Sequence, residues 1–430
     1  MRGSRSLPSN QAICPQNIMP STTKPTARKA VYPWAFRARF RRGGFGWRGS
    51  RLAIGRISEA VGEVLRVQRL DPLLAAQGAV LFLQRLSPAL ADVDSSTGAL
   101  GSAAHGAVQA LVPVIAKAPA TDSQRVAWLE SLFAALQEDD PPYIESVGDA
   151  WGDLCVTEEL ASRWADELLP TVRRVHQDRQ AGKFGWFTGT PACLSALYKA
   201  HRHDELLQVL DLNPRPSWHE SVWGARVLVA KGEVEEGIAY LERRCGQQVT
   251  PVALASFAED ALLQAGQRQQ AYERYALIAH QANSRLTTYR SLAKAYPEIG
   301  SEQLLRDLIR STPGEEGKWF ATAKTLKRYD LALELAQDSP CDPKTLTRAA
   351  RDHLTNEPEF ALGAAKAALA WMAAGHGYEL TGLDIQDAYQ LCQESARICG
   401  QASAVEAWLQ DVLSADRPAV VWMRKALGVR

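Results

Sequence analysis

The stretch WHESVWGARVLVAKGEVEEGIAYL, Trp218–Leu241, is answered in the same register by DALLQAGQRQQAYERY, Asp260–Tyr275. Leu228, Gly232, Gly237 and Leu241 recur as Leu262, Gly266, Ala271 and Tyr275, each 34 residues on (262 − 228 = 34). That offset is the period of a tetratricopeptide-type helix pair. In each copy an apolar-periodic run ends at Gly232 or Gly266, where glycine takes the left-handed conformation that stops a helix without a Cβ clash. A second run follows at once. Its small residue, Gly237 or Ala271, falls where two helices approach closely, and Leu241 or Tyr275 covers that contact from the next turn.

One pair cannot bury its own apolar face, so neighbours are expected on both sides. Upstream, His201 to Leu210 reads as the turn and second helix of an earlier unit. Downstream, Lys327-Arg328-Tyr329-Asp330 and the run Leu331 to Ala336 repeat the pattern, with Ala332 at the small position. Asn356 to Phe360 leads into Ala361 to Leu369 in the same way, and a degenerate copy runs from Leu286 to Ile309, broken at Pro297. The small-position spacings are unequal (237 − 206 = 31, 271 − 237 = 34, 361 − 332 = 29), as in a degenerate repeat. The expected fold is all-α, an α-solenoid of tetratricopeptide-like pairs over residues 191–415 preceded by an N-terminal helical bundle over 53–190. Residues 1–29, rich in Ser, Pro, Thr and Asn, read as a disordered extension, with Met19 an alternative start. Residues 416–430 read as a mildly basic tail.

Within the bundle, Ile54, Ile57, Val61 and Val64 open one helix, and Asp71-Pro72 caps the next. Val126, Leu129, Leu132, Phe133 and Leu136 mark another, and Leu160, Trp164, Leu168, Val172 and Val175 one more, with a break at Asp139-Asp140-Pro141-Pro142. Hydroxyls in Asp92 to Gly101 read as a helix cap. Thr312-Pro313-Gly314-Glu315-Glu316 reads as a helix start, as does Asp342-Pro343.

The 430 residues are 46% hydrophobic and 23% charged, enough for a large core in two or three domains. A net charge of +1 excludes bulk attraction to nucleic acid or anionic lipid, so any such affinity must be local. The seven cysteines (Cys14, Cys155, Cys193, Cys245, Cys341, Cys392, Cys399) form no C-x-x-C and read as buried reduced thiols of a cytoplasmic protein. The first thirty residues hold no signal-like apolar region, and the nearest approach to a spanning segment, Phe360 to Gly375, is too short, so no membrane partner is expected.

The one local charge anomaly lies in residues 30–52. From Arg37 to Arg56 there are seven arginines and no acid, interleaved with Phe36, Phe40, Phe45 and Trp47. Guanidinium groups bind phosphates bidentately and aromatic rings stack on bases, so Arg37, Arg39, Arg41, Arg42, Trp47, Arg48 and Arg51 are candidate nucleic-acid or anion contacts. The competing reading packs Phe36, Phe40 and Trp47 on the first helices and pairs the arginines with acidic loops. Gly44-Phe45-Gly46-Trp47-Arg48-Gly49 matches G-x-G-x-x-G but lacks the strand a dinucleotide site needs.

Other chemistry fails on spacing. Gly182-Lys183 and Gly317-Lys318 lack the first glycine of a P-loop, His219-Glu220 has no second histidine at 223, and no G-x-S-x-G occurs. No catalytic residue, metal or cofactor is expected. Gly182 to Pro191, glycine-rich and aromatic, reads as a packed loop at a domain junction.

Several runs also resemble a family of bacterial all-helical proteins with tetratricopeptide-like repeats. They are Phe45-Gly46-Trp47-Arg48, Asp71 to Ala76, Val93 to Gly98, Thr312 to Ala321 and Cys341 to Arg351. The resemblance spans Tyr32 to the C-terminus and implies a fold, with no activity attached. Residues 80–155 are similar to the helical region after a SWIM-type zinc finger, but the finger's own ligands are absent. The functional expectation is a protein-interaction scaffold with a protein or peptide partner. The alternative is a nucleic-acid-associated protein acting through Arg37 to Arg51.

Overall fold

The computed structural model describes residues 32–245 and 249–429. The expected disordered extension, the Met19 start and Cys14 lie outside the described residues. Among the described residues every regular element is a helix and none is a strand. The chain divides into two compact units between Val147 and Gly148. The sequence reading placed a division at 190/191. Helices that precede that point, α7 (Trp151–Cys155) and α8 (Glu158–Gln180), pack on α9 (Thr190–Lys199), so Gly182 to Pro191 runs inside the second unit.

The first unit is built on α2 (Ser50–Gln68), α3 (Pro72–Leu90), α4 (Ala99–Ala116) and α5 (Asp122–Gln137), entered through α1 (Ala35–Arg39). Asp71 caps α3 by accepting the Leu74 amide at 2.9 Å, as its Asp-Pro start implies. Gly98, at φ 71°, is the N-cap of α4, and the hydroxyl of Thr97 just before it accepts the Ala99 amide at 3.4 Å. Helices α3 and α4 are long and apolar enough to cross a membrane, and the α3 window is 61% buried inside the protein. A search for unbroken apolar runs passes over them because Gln77, Gln84 and Arg85 interrupt α3.

The division falls within short α6 (Ser146–Asp149); in the second unit α7 follows, and from α9 onward helices come in twos. They are α9 and α10 (His203–Asp211), α11 (Trp218–Ala230) and α12 (Val234–Cys245), then α13 (Pro251–Gln264) with α14 (Arg268–Ala271) and α15 (Leu277–Ala279). Next come α16 (Arg285–Ala295) and α17 (Ser301–Arg310), α18 (Phe320–Thr325) and α19 (Tyr329–Asp338), α20 (Pro343–His353) and α21 (Pro358–Ala373), and α22 (Gly382–Ile398) and α23 (Ala402–Ser414).

Five of these twos share one turn. His201, Gly232, Gly266, Lys327 and Gly400 each adopt a positive φ (54°, 87°, 74°, 58° and 69°). The residue after each donates its amide five residues back: Arg202 to Leu197, Glu233 to Leu228, Gln267 to Leu262, Arg328 to Ala323, Gln401 to Ala396, at 2.8–3.0 Å. This is the Schellman geometry, which satisfies helix-end carbonyls from the main chain. The close approach at Gly237 is also present. A Cβ there would lie 3.0 Å from both the Ala225 carbonyl oxygen and Val229 Cγ2.

Three expectations need correction. Thr312-Pro313-Gly314 forms a turn with Gly314 at φ 79°, and helix begins only with a 3-10 turn at Glu316–Trp319. Thr312 instead accepts the Trp319 indole N–H at 2.8 Å. The second helix of the 34-residue copy is not α-helical throughout, because a π turn, Tyr272–Ala276, lies between α14 and α15, while Tyr275 still packs on the cluster that holds Ala271 and Leu262. Residues 416–430 are no bare tail: α24 (Pro418–Leu427) buries Val420 and Met423 and packs on α22. Its Pro at N1 and the left-handed Gly428 after it were readable start and stop signals.

Candidate functional site

A groove of about 530 Å³ runs across α7, α9, α11 and α13. Its wall repeats with the sequence period. Trp223 and Phe257 stand 34 residues apart (257 − 223 = 34), as do Arg226 and Asp260 (260 − 226 = 34). Successive first helices thus present an aromatic and, three residues on, a charge to one surface. The Arg226 guanidinium lies 4.6 Å over the Trp223 ring, and the Tyr198 ring sits 5.6 Å from Trp223 in a tilted arrangement. Tyr198, Lys199, Arg226 and Gln264 make no ion pair or side-chain hydrogen bond with another described residue, so their polar groups are uncommitted. Burial, and then the adjacent Glu259 carboxylate, push the Asp260 pKa up.

The groove is held from behind by two close contacts. Gly152 lets α7 onto α9: a Cβ there would sit 2.6 Å from the Ser195 carbonyl oxygen. Ser195 Oγ accepts the Gly152 amide and donates to the Asp149 carbonyl, both at 2.9 Å.

The start of α11 is fixed by a buried carboxylate. Glu220 accepts the Ser217 amide at 2.7 Å, completing a capping box, and Arg179 at 3.0 Å. Asn213 Nδ2 and His176 Nε2 lie 3.3 Å away. Burial alone would raise the Glu220 pKa, but these partners, His176 first, outweigh it and hold the carboxyl at about 2. A second polar bridge joins α13 to α16. Ser291 Oγ lies 2.8 Å from His280 Nδ1, His280 Nε2 lies 3.1 Å from Glu259, and the Tyr296 hydroxyl donates to the same carboxylate at 2.6 Å. Sequence reading missed both clusters, because their members lie up to 44 residues apart with no fixed spacing.

The arginine-rich segment is no extended arm. Trp34, Phe36, Phe40 and Phe45 are buried, with Phe36 and Phe40 set edge-on against Phe82 at 5.3 and 4.9 Å. Trp47, which the packing alternative also turned inward, is 67% exposed. Arg39 pairs with Glu59 at 2.6 Å. Arg37, Arg41, Arg42, Arg48 and Arg51 are exposed and make no ion pair with a described residue. The structure therefore separates most of what the sequence interleaves, with the three phenylalanine rings inside and the guanidiniums and Trp47 outside.

Cys193, Cys341 and Cys392 are buried free thiols, and no group of metal-ligating side chains occurs among the described residues. A scan against protein-family models gives no match to the chain, and a search of curated proteins gives none.

Proposed function

We propose that the second unit is a degenerate tetratricopeptide-like array and that its groove binds an extended segment of a partner protein. The observation that carries this reading is the repeat of aromatic and charged positions along the groove at the sequence period, Trp223 with Phe257 and Arg226 with Asp260. Helical arrays present such surfaces because each first helix contributes the same face. The uncommitted Lys199, Arg226 and Tyr198 donors suit backbone carbonyls and acidic side chains, and Asp153 and Asp260 suit basic ones. Buried free thiols accord with a reducing cytoplasmic setting.

The test places a photo-crosslinking amino acid at Phe257 or Tyr198 in the full chain, with Glu242 on α12 as control, in cells of the native host. A protein adduct specific to the groove positions, and lost in Arg226→Glu with Asp260→Lys, supports the reading. Groove positions that capture nothing beyond the Glu242 control refute it.

A further inference from the structure

The first unit carries a surface that the groove reading does not use. We infer that Arg37, Arg41, Arg42, Arg48 and Arg51 form a docking surface for the phosphate backbone of a double-helical nucleic acid.

Three observations carry this. The five guanidiniums fall within fifteen residues (51 − 37 + 1 = 15), all are exposed, and none is neutralised by a described carboxylate. Guanidinium is the side chain best matched to phosphate, because its planar donors meet two oxygens at once.

The display is fixed. Trp34 lies against Gly78, so closely that a Cβ there would be 2.2 Å from the ring, and Phe36, Phe40 and Phe45 are 5% exposed or less. Arg85 donates to the Phe40 carbonyl at 3.2 Å, and the Asp94 amide donates to the Trp47 carbonyl at 3.0 Å. Arginines on a held turn lose less freedom on binding than arginines on a loose arm.

The placement of the rings selects the partner. Binding a single strand through stacking needs a row of exposed aromatics, and among the described residues of this segment Trp34, Phe36, Phe40 and Phe45 are buried, leaving Trp47 at 67% and Tyr32 at 36% exposure. Insertion into a membrane interface needs a continuous apolar face, and the rings that would make one are turned into the core. What remains outside is charge, which reads phosphates and carries no base specificity. Asp92 is an opposing charge beside the same turn, its Oδ2 3.3 Å from the Cβ position of Gly43.

The experiment measures binding of the full chain to a short labelled DNA duplex, the matching single strand, and phosphatidylglycerol vesicles across a salt series. The expected result is sequence-independent duplex binding with a log–log salt slope approaching about −4.5, about 0.9 for each of five phosphates. Arg41→Glu with Arg42→Glu, and Arg48→Glu with Arg51→Glu, each weaken it by about tenfold or more at low salt, while Asp92→Asn tightens it. Arg397→Glu, at an exposed site of the second unit, leaves it unchanged. Helix content measured on each variant separates lost binding from lost folding. Absence of duplex binding at low salt, binding undiminished in the paired arginine variants, tighter binding to the single strand, or binding to vesicles alone would each overturn the inference. The groove variants of the second unit leave this assay unaffected, so the two readings fail separately.

Discussion

Glu220→Gln removes one negative charge from the start of α11 and keeps the side chain's shape. In the wild-type fold the carboxyl is held at about 2 against an ordinary 4.5, and its side chain is 10% exposed. A depression of that size corresponds to about 3 kcal/mol of folded-state stabilisation. The sign follows from the direction. A carboxyl depressed in the fold contributes fully above its unfolded value near 4.5, and the contribution is lost as pH falls through about 2. Glu220→Gln should therefore be less stable than wild type by about 3 kcal/mol at pH 7, with more than half of that gap gone by about pH 3. Glu220→Ala should cost about 3–5 kcal/mol at pH 7, because it also strands Arg179 and opens the capping box. The assay is urea unfolding of the full chain at both pH values, with hydrogen exchange on the α11 amides to assign the loss to this region. Other acids titrate identically in both chains, so the difference isolates Glu220. A gap that stays constant between pH 7 and pH 3, or one below about 1 kcal/mol at pH 7, would refute the reasoning.

Gly237→Ala puts a Cβ 3.0 Å from two atoms of α11 and should destabilise by about 1–3 kcal/mol, read from the shift in urea midpoint. Gly78→Ala collides with the Trp34 ring and should release it to solvent, seen as a red shift in tryptophan emission and a rise in quencher access. Lys327→Gly relieves a left-handed lysine and should stabilise by up to about 1 kcal/mol, whereas Gly232→Ala should cost about 1 kcal/mol; equal effects in thermal melts would contradict the turn geometry. Burial pushes the thiols of Cys193, Cys341 and Cys392 up to about 12, so a maleimide at pH 8 should leave them unlabelled in the native protein and modify them once urea is added.

What the sequence disclosed is local and periodic. Gly232 and Gly266 mark turns because a positive φ is nearly private to glycine, and Gly237 marks a close approach because a Cβ there would already touch two atoms of α11 at 3.0 Å. His201 and Lys327 do the same work at residues that carry no such signal, so those turns were legible only by analogy with their neighbours. The π turn at Tyr272–Ala276 left no mark, since an extra residue in a helix changes hydrogen bonding without changing composition. At Thr312-Pro313-Gly314 the local signals favoured a helix start, and a left-handed Gly314 prevailed. The groove was half visible: its period was read, but which face of each helix looks outward depends on packing. The arginine segment was read for its composition, while the inward turn of its rings depends on Phe82 and Gly78 more than thirty residues away.

The shared turn also governs how the second unit should yield to force. Each Schellman turn closes its helix-end carbonyls with amides a few residues along the same chain, so these five joints borrow no main-chain partner from the next pair. Between pairs the connections are side-chain contacts and ion pairs such as Arg274 with Glu235 and Arg351 with Asp387. Under force, surface ion pairs of this kind should give way before the turns do, because a turn closed within its own chain spans no gap between helices.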